Sequence, residues 1–141
     1  MSKSLNNLQP WGALFLRLVL GTAMLYHGWS KVIPAGGFHG GNAFSAIEHH
    51  SHYVVSLGLP YWLGIISALT EFVGGALLIV GLFTRFAAFL VSINMLVALI
   101  MVNRHHGYSG SEYSLALLFI AIMLFFYGAG VCALDRKLGF A

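Results

Sequence analysis

Four long apolar segments dominate this sequence of 141 residues. They cover residues 11–30, 60–83, 86–103 and 113–134. Each is close to the length of about 20 residues that an α-helix needs to cross a hydrocarbon core about 30 Å thick. The sequence therefore predicts an all-α, polytopic membrane protein, in which a bundle of four transmembrane helices forms a single domain over residues 1–141.

The composition supports a membrane protein. Hydrophobic residues make up 59% of the chain and charged residues 8%, and the mean hydropathy is +0.85, which leaves too little polar surface to cover a soluble domain. The isoelectric point near 9.3 is compatible with nucleic-acid binding, but the lysines and arginines form no cluster. We therefore expect the lipid bilayer as a partner and no nucleic acid.

The basic residues predict the orientation of the chain. The first apolar segment contains Arg17 and no small-residue cleavage site, so we expect it to be retained as a helix. The other basic residues fall unequally on the two sides, with Lys3, Arg85, Arg136 and Lys137 on one and Lys31 and Arg104 on the other. The positive-inside rule then places both termini in the cytoplasm. All seven histidines consequently lie in or beside the outward-facing loops.

The first outer loop, residues 32–60, is the one long connection. Its glycine-rich part, residues 34–41, cannot sustain a helix. Residues 42–57 predict a short helix that Asn42 caps, and we expect this helix to lie in the membrane interface. Its apolar residues on one side are Phe44, Ile47, Val54 and Val55.

Three polar residues inside the apolar segments are Arg17, Glu71 and Asn94. Glu71 shares a helix face with several small residues, and Arg17 shares one with Gly21 and Gly28, a spacing that permits close helix packing. Arg17 and Glu71 are therefore expected to pair in a structural polar core. Such a pair could serve packing alone or also function. Asn94 could form an interhelical hydrogen bond or contact a ligand.

Several motifs in order resemble the DoxX family of small four-helix membrane proteins. They are RLVLG (17–21) and HGWSK (27–31), EFVGG (71–75) and GLFTR (81–85), HHGY (105–108) with EY (112–113), and GAG (128–130) with LD (134–135). The similarity extends over nearly the whole chain. The histidine cluster at 49–52 is a departure from the family pattern.

The resemblance implies a redox role linked to quinones. The family is named after a subunit of an archaeal terminal quinol oxidase, and a related subunit belongs to a thiosulfate to quinone oxidoreductase. We therefore expect a quinone-linked oxidoreductase subunit in the cytoplasmic (inner) membrane of a prokaryote, working with a separate soluble or membrane electron donor. Cys132 is the single cysteine, so the chain has no dithiol pair and no haem-attachment motif. The sequence leaves open whether the chain is catalytic alone and whether it forms a homo-oligomer.

A quinone site needs an apolar slot, hydrogen-bond donors and proton carriers near the membrane surface. Candidates lie in the outer half of the predicted bundle, where histidine is a suitable proton carrier. Lys31 and Glu112 could instead be ordinary charges at helix ends. The predicted quinone-binding residues are His27, Lys31, Glu71, Asn94, His105 and Glu112.

A metal site is the alternative. Imidazole suits zinc, copper or nickel, and the candidate ligands are His49, His52, His105 and His106. No carboxylate or cysteine stands at ligand spacing beside them. The competing hypothesis is a non-catalytic protein that binds or transports a metal ion or small molecule through its outward-facing histidines. The sequence names no cofactor, with quinone as the first candidate and a metal ion as the second.

Overall fold

The computed structural model describes residues 7–37, 42, 44–103 and 107–140, and these residues form helices and no strand. The helices are α1 (Gln9–Val32), α2 (Ser45–Ser56), α3 (Tyr61–Val80), α4 (Thr84–Met101), α5 (Gly107–Tyr127) and α6 (Leu134–Leu138). The all-α class predicted from the sequence is thus confirmed. In the described part of the chain, three helices are long and apolar enough to cross a membrane, namely α3, α4 and α5.

Helix α1 packs antiparallel along α3 through glycines. A Cβ atom added at Gly75 would lie 2.5 Å from the backbone nitrogen of Leu25, and one added at Gly21 would lie 2.9 Å from the carbonyl oxygen of Gly75. Gly28 meets the backbone of Phe72 in the same way. The two helix backbones therefore touch over about two turns, which only residues without side chains permit.

Apolar side chains of α1, α3, α4 and α5 fill the interior of the bundle. The largest that are almost completely buried are Leu20, Met24, Leu78, Val91 and Leu124. Most other large apolar side chains on these helices are exposed, as expected for helices that face lipid. The core is thus narrow, and alanines and glycines supply much of the contact between helices.

Helix α5 ends seven residues before the end predicted for the fourth apolar segment. Gly128 and Gly130 have φ angles of +94° and +71°, a left-handed conformation that stops a helix and that glycine adopts without strain. Residues 128–133 form a turn instead, followed by the short helix α6. Because the residues of this turn are small or apolar, the hydropathy of the sequence does not reveal where the helix ends.

Asp135 of α6 fixes the start of α4. Its Oδ1 atom accepts a hydrogen bond from the Phe83 backbone N–H at 2.6 Å, and Oδ2 accepts one from the Thr84 N–H at 2.8 Å. A carboxylate in this position satisfies free N–H groups and interacts favourably with the helix dipole. The C-terminal segment is therefore tied to the junction between α3 and α4.

The substitution Gly75→Ala is expected to lower the thermal stability of the detergent-solubilised protein, because the new methyl group overlaps the backbone of α1. Overpacking of this kind costs about 1 to 3 kcal/mol. Gly12→Ala is the matched control, since no atom beyond the adjacent backbone of its own helix lies within 4 Å of the added Cβ and alanine favours a helix. Equal melting temperatures for Gly75→Ala and Gly12→Ala would contradict the close packing of α1 on α3.

Candidate functional site

A cavity of about 180 Å³ lies between α2, α3 and α4, with Lys31 at the end of α1 contributing to its wall. Most of its lining is apolar. The exposed side chains of Ile66, Ile93 and Val97 belong to this lining, so the cavity opens sideways between helices of membrane-crossing length. The polar residues of the lining are Lys31, His50, Tyr53, Ser67, Thr70, Glu71 and Asn94.

Glu71 is the centre of the polar part of the cavity. Its residue surface is only 4% exposed, and its Oε1 atom accepts hydrogen bonds from Lys31 Nζ at 2.7 Å and from Asn94 Nδ2 at 2.8 Å. Lys31 Nζ also lies 2.6 Å from Oε2, but Oε2 accepts no hydrogen bond from the described residues. The carboxylate is therefore charge-balanced by Lys31, and the buried Oε2 atom has this ion-pair contact in place of a hydrogen bond from the described residues.

The predicted pair between Arg17 and Glu71 is wrong. The antiparallel register of α1 and α3 places the guanidinium of Arg17 beside Gly81, ten residues after Glu71 and hence about 15 Å further along the helix. Lys31, in the last turn of α1, reaches the carboxylate of Glu71 instead. Arg17 and Glu71 are both buried, as predicted, but each belongs to a different polar cluster.

Arg17 binds backbone carbonyl groups at the opposite end of the bundle. Its Nη1 donates a hydrogen bond to the Ala129 carbonyl oxygen at 2.6 Å, and Nη2 donates one to that of Cys132 at 2.9 Å. The turn after α5 thus supplies carbonyl groups that a continued helix would have used internally. Arg17 therefore holds this turn and takes no part in the cavity.

His50 is an ionisable residue of α2 in the cavity lining that the sequence analysis did not predict there. Its Nε2 atom lies 3.4 Å from Ser67 Oγ, and the contact between Ser51 and Gly64 brings α2 close enough to α3 for this pairing. The signal in the sequence is the spacing of Ile47, His50, Ser51 and Val54, which is the spacing of one helix face. Phe44 and Val55, which the sequence predicts on the apolar face, are exposed.

Burial lowers the pKa of His50 below its ordinary value, and the charges of Lys31 and, more weakly, His49 lower it further. The carboxylate of Glu71 acts in the opposite direction but does not outweigh them. The imidazole therefore favours its neutral form, in which one nitrogen donates and the other accepts.

The structure brings together three of the predicted quinone-binding residues and separates others from them. Lys31, Glu71 and Asn94 form one hydrogen-bonded cluster. His27 is exposed and its Nε2 atom lies 3.2 Å from the hydroxyl of Tyr113, outside the lining of the cavity. Glu112 is exposed and also lies outside that lining. His105 is outside the described residues.

The predicted metal ligands His49 and His52 are both exposed on α2. The ring of His52 packs against that of Tyr61, with centroids 5.4 Å apart. Among the described residues, no three His, Cys, Asp or Glu side chains are arranged to hold a metal ion. The other two predicted ligands, His105 and His106, fall outside the described part of the chain.

Comparison with known proteins identifies the family. The DoxX family profile matches residues 12–104. The chain belongs to the DoxX family. The match extends from α1 to just beyond α4 and so includes every residue that lines the cavity. This DoxX chain is a membrane protein with several apolar helices.

Two proteins resemble this DoxX chain over most of its length. One is an "Uncharacterized protein" of Haemophilus influenzae, 34% identical over 146 residues that cover 94% of this chain and 97% of the relative. The other, from Bacillus subtilis, is named "Putative oxidoreductase CatD" and is 30% identical over 125 residues, which cover 88% and 84% of the two chains. No solved structure matches the chain at a significant level.

A double-mutant cycle with Lys31→Met and Glu71→Gln is expected to show coupling. Each single change leaves a partner without its opposite charge, whereas the double change removes both charges. Because the Lys31 side chain is 27% exposed, solvent screens part of the interaction, and we expect a coupling of about 1 kcal/mol in reversible unfolding. The cycle of Arg17→Met with Glu71→Gln is the control and should be additive within about 0.5 kcal/mol. Coupling in the control but not in the Lys31 cycle would contradict the assigned pairs.

The stability of the protein is expected to fall as the pH drops below the ordinary histidine pKa of about 6.5. Because the pKa of His50 is lowered in the folded protein, the unfolded chain binds more protons between the folded and unfolded pKa values. Stability therefore rises with pH through this window and is complete above it.

Melting temperatures measured from pH 5 to pH 8 test this dependence, with His50→Asn expected to weaken it. His52→Asn, which changes an exposed histidine of the same helix, should leave it unaltered. An equal pH dependence in the original protein and in His50→Asn would show that His50 is not responsible.

Proposed function

We propose that this protein is a quinone-linked subunit of a membrane oxidoreductase, which binds the head of a quinone in the cavity and works with a separate electron donor. The observation that supports this function best is the cavity itself. It joins a polar cluster around Glu71 to an apolar channel that opens between helices of membrane-crossing length. A molecule with a polar ring and an apolar tail complements both parts.

The size of the cavity suits a single ring. Its volume is about 180 Å³, and an apolar cavity of about 150 Å³ is enough to bind benzene. Ile66, Ile93 and Val97 stand at the exposed side, where an isoprenoid tail could extend into the lipid without losing its apolar surroundings. The opening also lets the ligand enter from the bilayer rather than from water.

The polar residues match the chemistry of a quinone head. Lys31 and Asn94 carry N–H donors for a carbonyl oxygen, and the Glu71 carboxylate that both contact is an acceptor for a hydroxyl group of the reduced form. His50 is the residue best suited to transfer protons, because its neutral imidazole can both take up and release one. Reduction of a quinone consumes electrons and protons in equal number, and in this proposal a separate redox protein supplies the electrons.

The comparisons support a redox role. The Bacillus subtilis relative is named an oxidoreductase, and it covers most of this chain. The family match includes the whole cavity. We therefore place the redox function at this cavity and not at the exposed histidines of α2.

In the proposed arrangement α1 is a fourth transmembrane helix and α2 lies in the interface of the outer leaflet. Helix α1 has 24 residues, or about 36 Å, enough to span the bilayer. Its two charges are both compensated, that of Arg17 by carbonyl groups and that of Lys31 by Glu71. The distribution of basic residues supports a cytoplasmic position of both termini, and in this orientation the cavity opens in the outer half of the membrane.

A short-chain quinone such as decylubiquinone is expected to raise the melting temperature of the detergent-solubilised protein. A ligand that binds only the folded form at about 100 times its Kd adds about 2.7 kcal/mol. Asn94→Leu and His50→Asn should reduce the shift caused by the quinone. Ser92→Ala is the matched control on α4, because its hydroxyl bonds the Ala88 carbonyl of its own helix and does not line the cavity.

Zinc and copper provide the test of the alternative function. We expect neither ion to replace the quinone in protecting the protein, and we expect His49→Ala combined with His52→Ala to leave the quinone shift intact. Protection by a metal alone that disappears with this double change would overturn the quinone function in favour of a metal-binding protein.

A further inference from the structure

A second pocket, of about 210 Å³, lies at the opposite end of the bundle from the cavity. Four segments surround it, namely the start of α1, the start of α4, the turn after α5, and α6. Its lining combines two arginines, one tyrosine and a glycine-rich stretch of backbone, namely Pro10, Arg85, Tyr127, Gly128, Ala129, Gly130 and Arg136. The described side chains of this lining include no acid.

We propose that this pocket binds the phosphate group of an anionic phospholipid. The charge, the free donors and the position of the pocket each support this ligand. The proposal is independent of the quinone function, because the two pockets share no lining residue.

The charge of the pocket is not neutralised within the described part of the chain. Arg85 donates one hydrogen bond, from Nη1 to the Phe125 carbonyl oxygen at 3.3 Å, and its remaining N–H groups stay available. Arg136 is exposed and forms no ion pair among the described residues. The neighbouring carboxylate of Asp135 is buried and accepts two backbone hydrogen bonds at the start of α4. Guanidinium groups that have no carboxylate partner are well suited to bind a phosphate through two parallel hydrogen bonds.

The backbone of the turn also lines the pocket and has N–H groups that are unpaired within the described part of the chain. The N–H groups of Ala129 and Gly130 donate no hydrogen bond to any described residue. A Cβ atom added at Gly128 would lie 3.4 Å from Nε and Nη2 of Arg85, so the absence of a side chain lets the guanidinium lie close to the turn. Backbone N–H groups in a turn with left-handed residues are a known means of binding anions.

The position of the pocket favours a lipid over a soluble phosphate. Helix α4 begins at Thr84 and α5 ends at Tyr127, so these two membrane-length helices reach the bilayer surface together at the pocket. Exposed aromatic side chains adjoin the lining residues in sequence, namely Trp11, Phe86 and Phe126. Aromatic residues at this depth are typical of the membrane interface. In the proposed complex the phosphate lies between the two arginines, and these aromatic side chains contact the acyl chains of the lipid.

The test uses the full-length protein in detergent with added phosphatidylglycerol, phosphatidylcholine or inorganic phosphate, all at one ionic strength. We expect phosphatidylglycerol to raise the melting temperature and to remain bound in native mass spectrometry, while the other two do neither. Arg85→Gln and Arg136→Gln should each weaken phosphatidylglycerol binding about tenfold, the effect of losing one hydrogen bond between charged groups. Lys137→Gln removes a charge next to Arg136 from outside the pocket and should change binding less than twofold.

Three results would overturn the proposal. Equal binding of phosphatidylcholine would show that no anionic group is recognised. An effect of Lys137→Gln as large as that of Arg136→Gln would show that the general surface charge attracts the lipid. Full protection by inorganic phosphate, with no gain from acyl chains, would exclude the lipid as the ligand. Because binding is read by mass as well as by melting, a variant that is merely less stable is still informative.

Discussion

The close contact between α1 and α3 is the constraint on which the rest of the structure depends. Gly21, Gly28 and Gly75 bring the two backbones together, and this contact fixes their antiparallel register. The register decides which charges meet, since it sets Lys31 level with Glu71 and Arg17 level with Gly81. A shift by one helical turn would separate Lys31 from the carboxylate by about 5 Å and leave a buried charge unpaired. The packing of small residues thus determines which charged side chains lie next to each other.

The bundle accommodates the buried charges of Arg17 and Glu71 in different ways. Arg17 is surrounded by carbonyl groups of a turn that exists because α5 stops at glycines. Glu71 is balanced by a lysine and an amide whose side chains also line the cavity. The first arrangement consumes its donors in holding the fold, so little remains to bind a ligand. The second stands in the wall of the cavity, which is why we propose the functional site there.

The sequence was sufficient for the features that depend on apolar length and residue size. It predicted the all-α class, the family and the inward position of Glu71, and it grouped Lys31 and Asn94 with Glu71, to which both are hydrogen-bonded. It failed where the answer depended on register between helices or on backbone conformation. The apolar segments do not reveal that Arg17 and Glu71 lie at different levels, nor that positive φ angles at Gly128 and Gly130 end α5 early. His50 was missed because the neighbouring histidines suggested metal binding, whereas the spacing of Ile47, Ser51 and Val54 marks the buried face of α2.

The contact between Gly64 and Ser51 has a consequence for the range of ligands that the protein could accept. A methyl group on Gly64 would lie 2.8 Å from Ser51 Oγ, so the absence of one carbon atom sets how near α2 can approach α3. Because α2 forms one wall of the cavity, that same atom sets the width of the slot. A larger residue at this position would hold α2 further out and widen the slot. Selectivity for ligand size could therefore change through a residue that never touches the ligand.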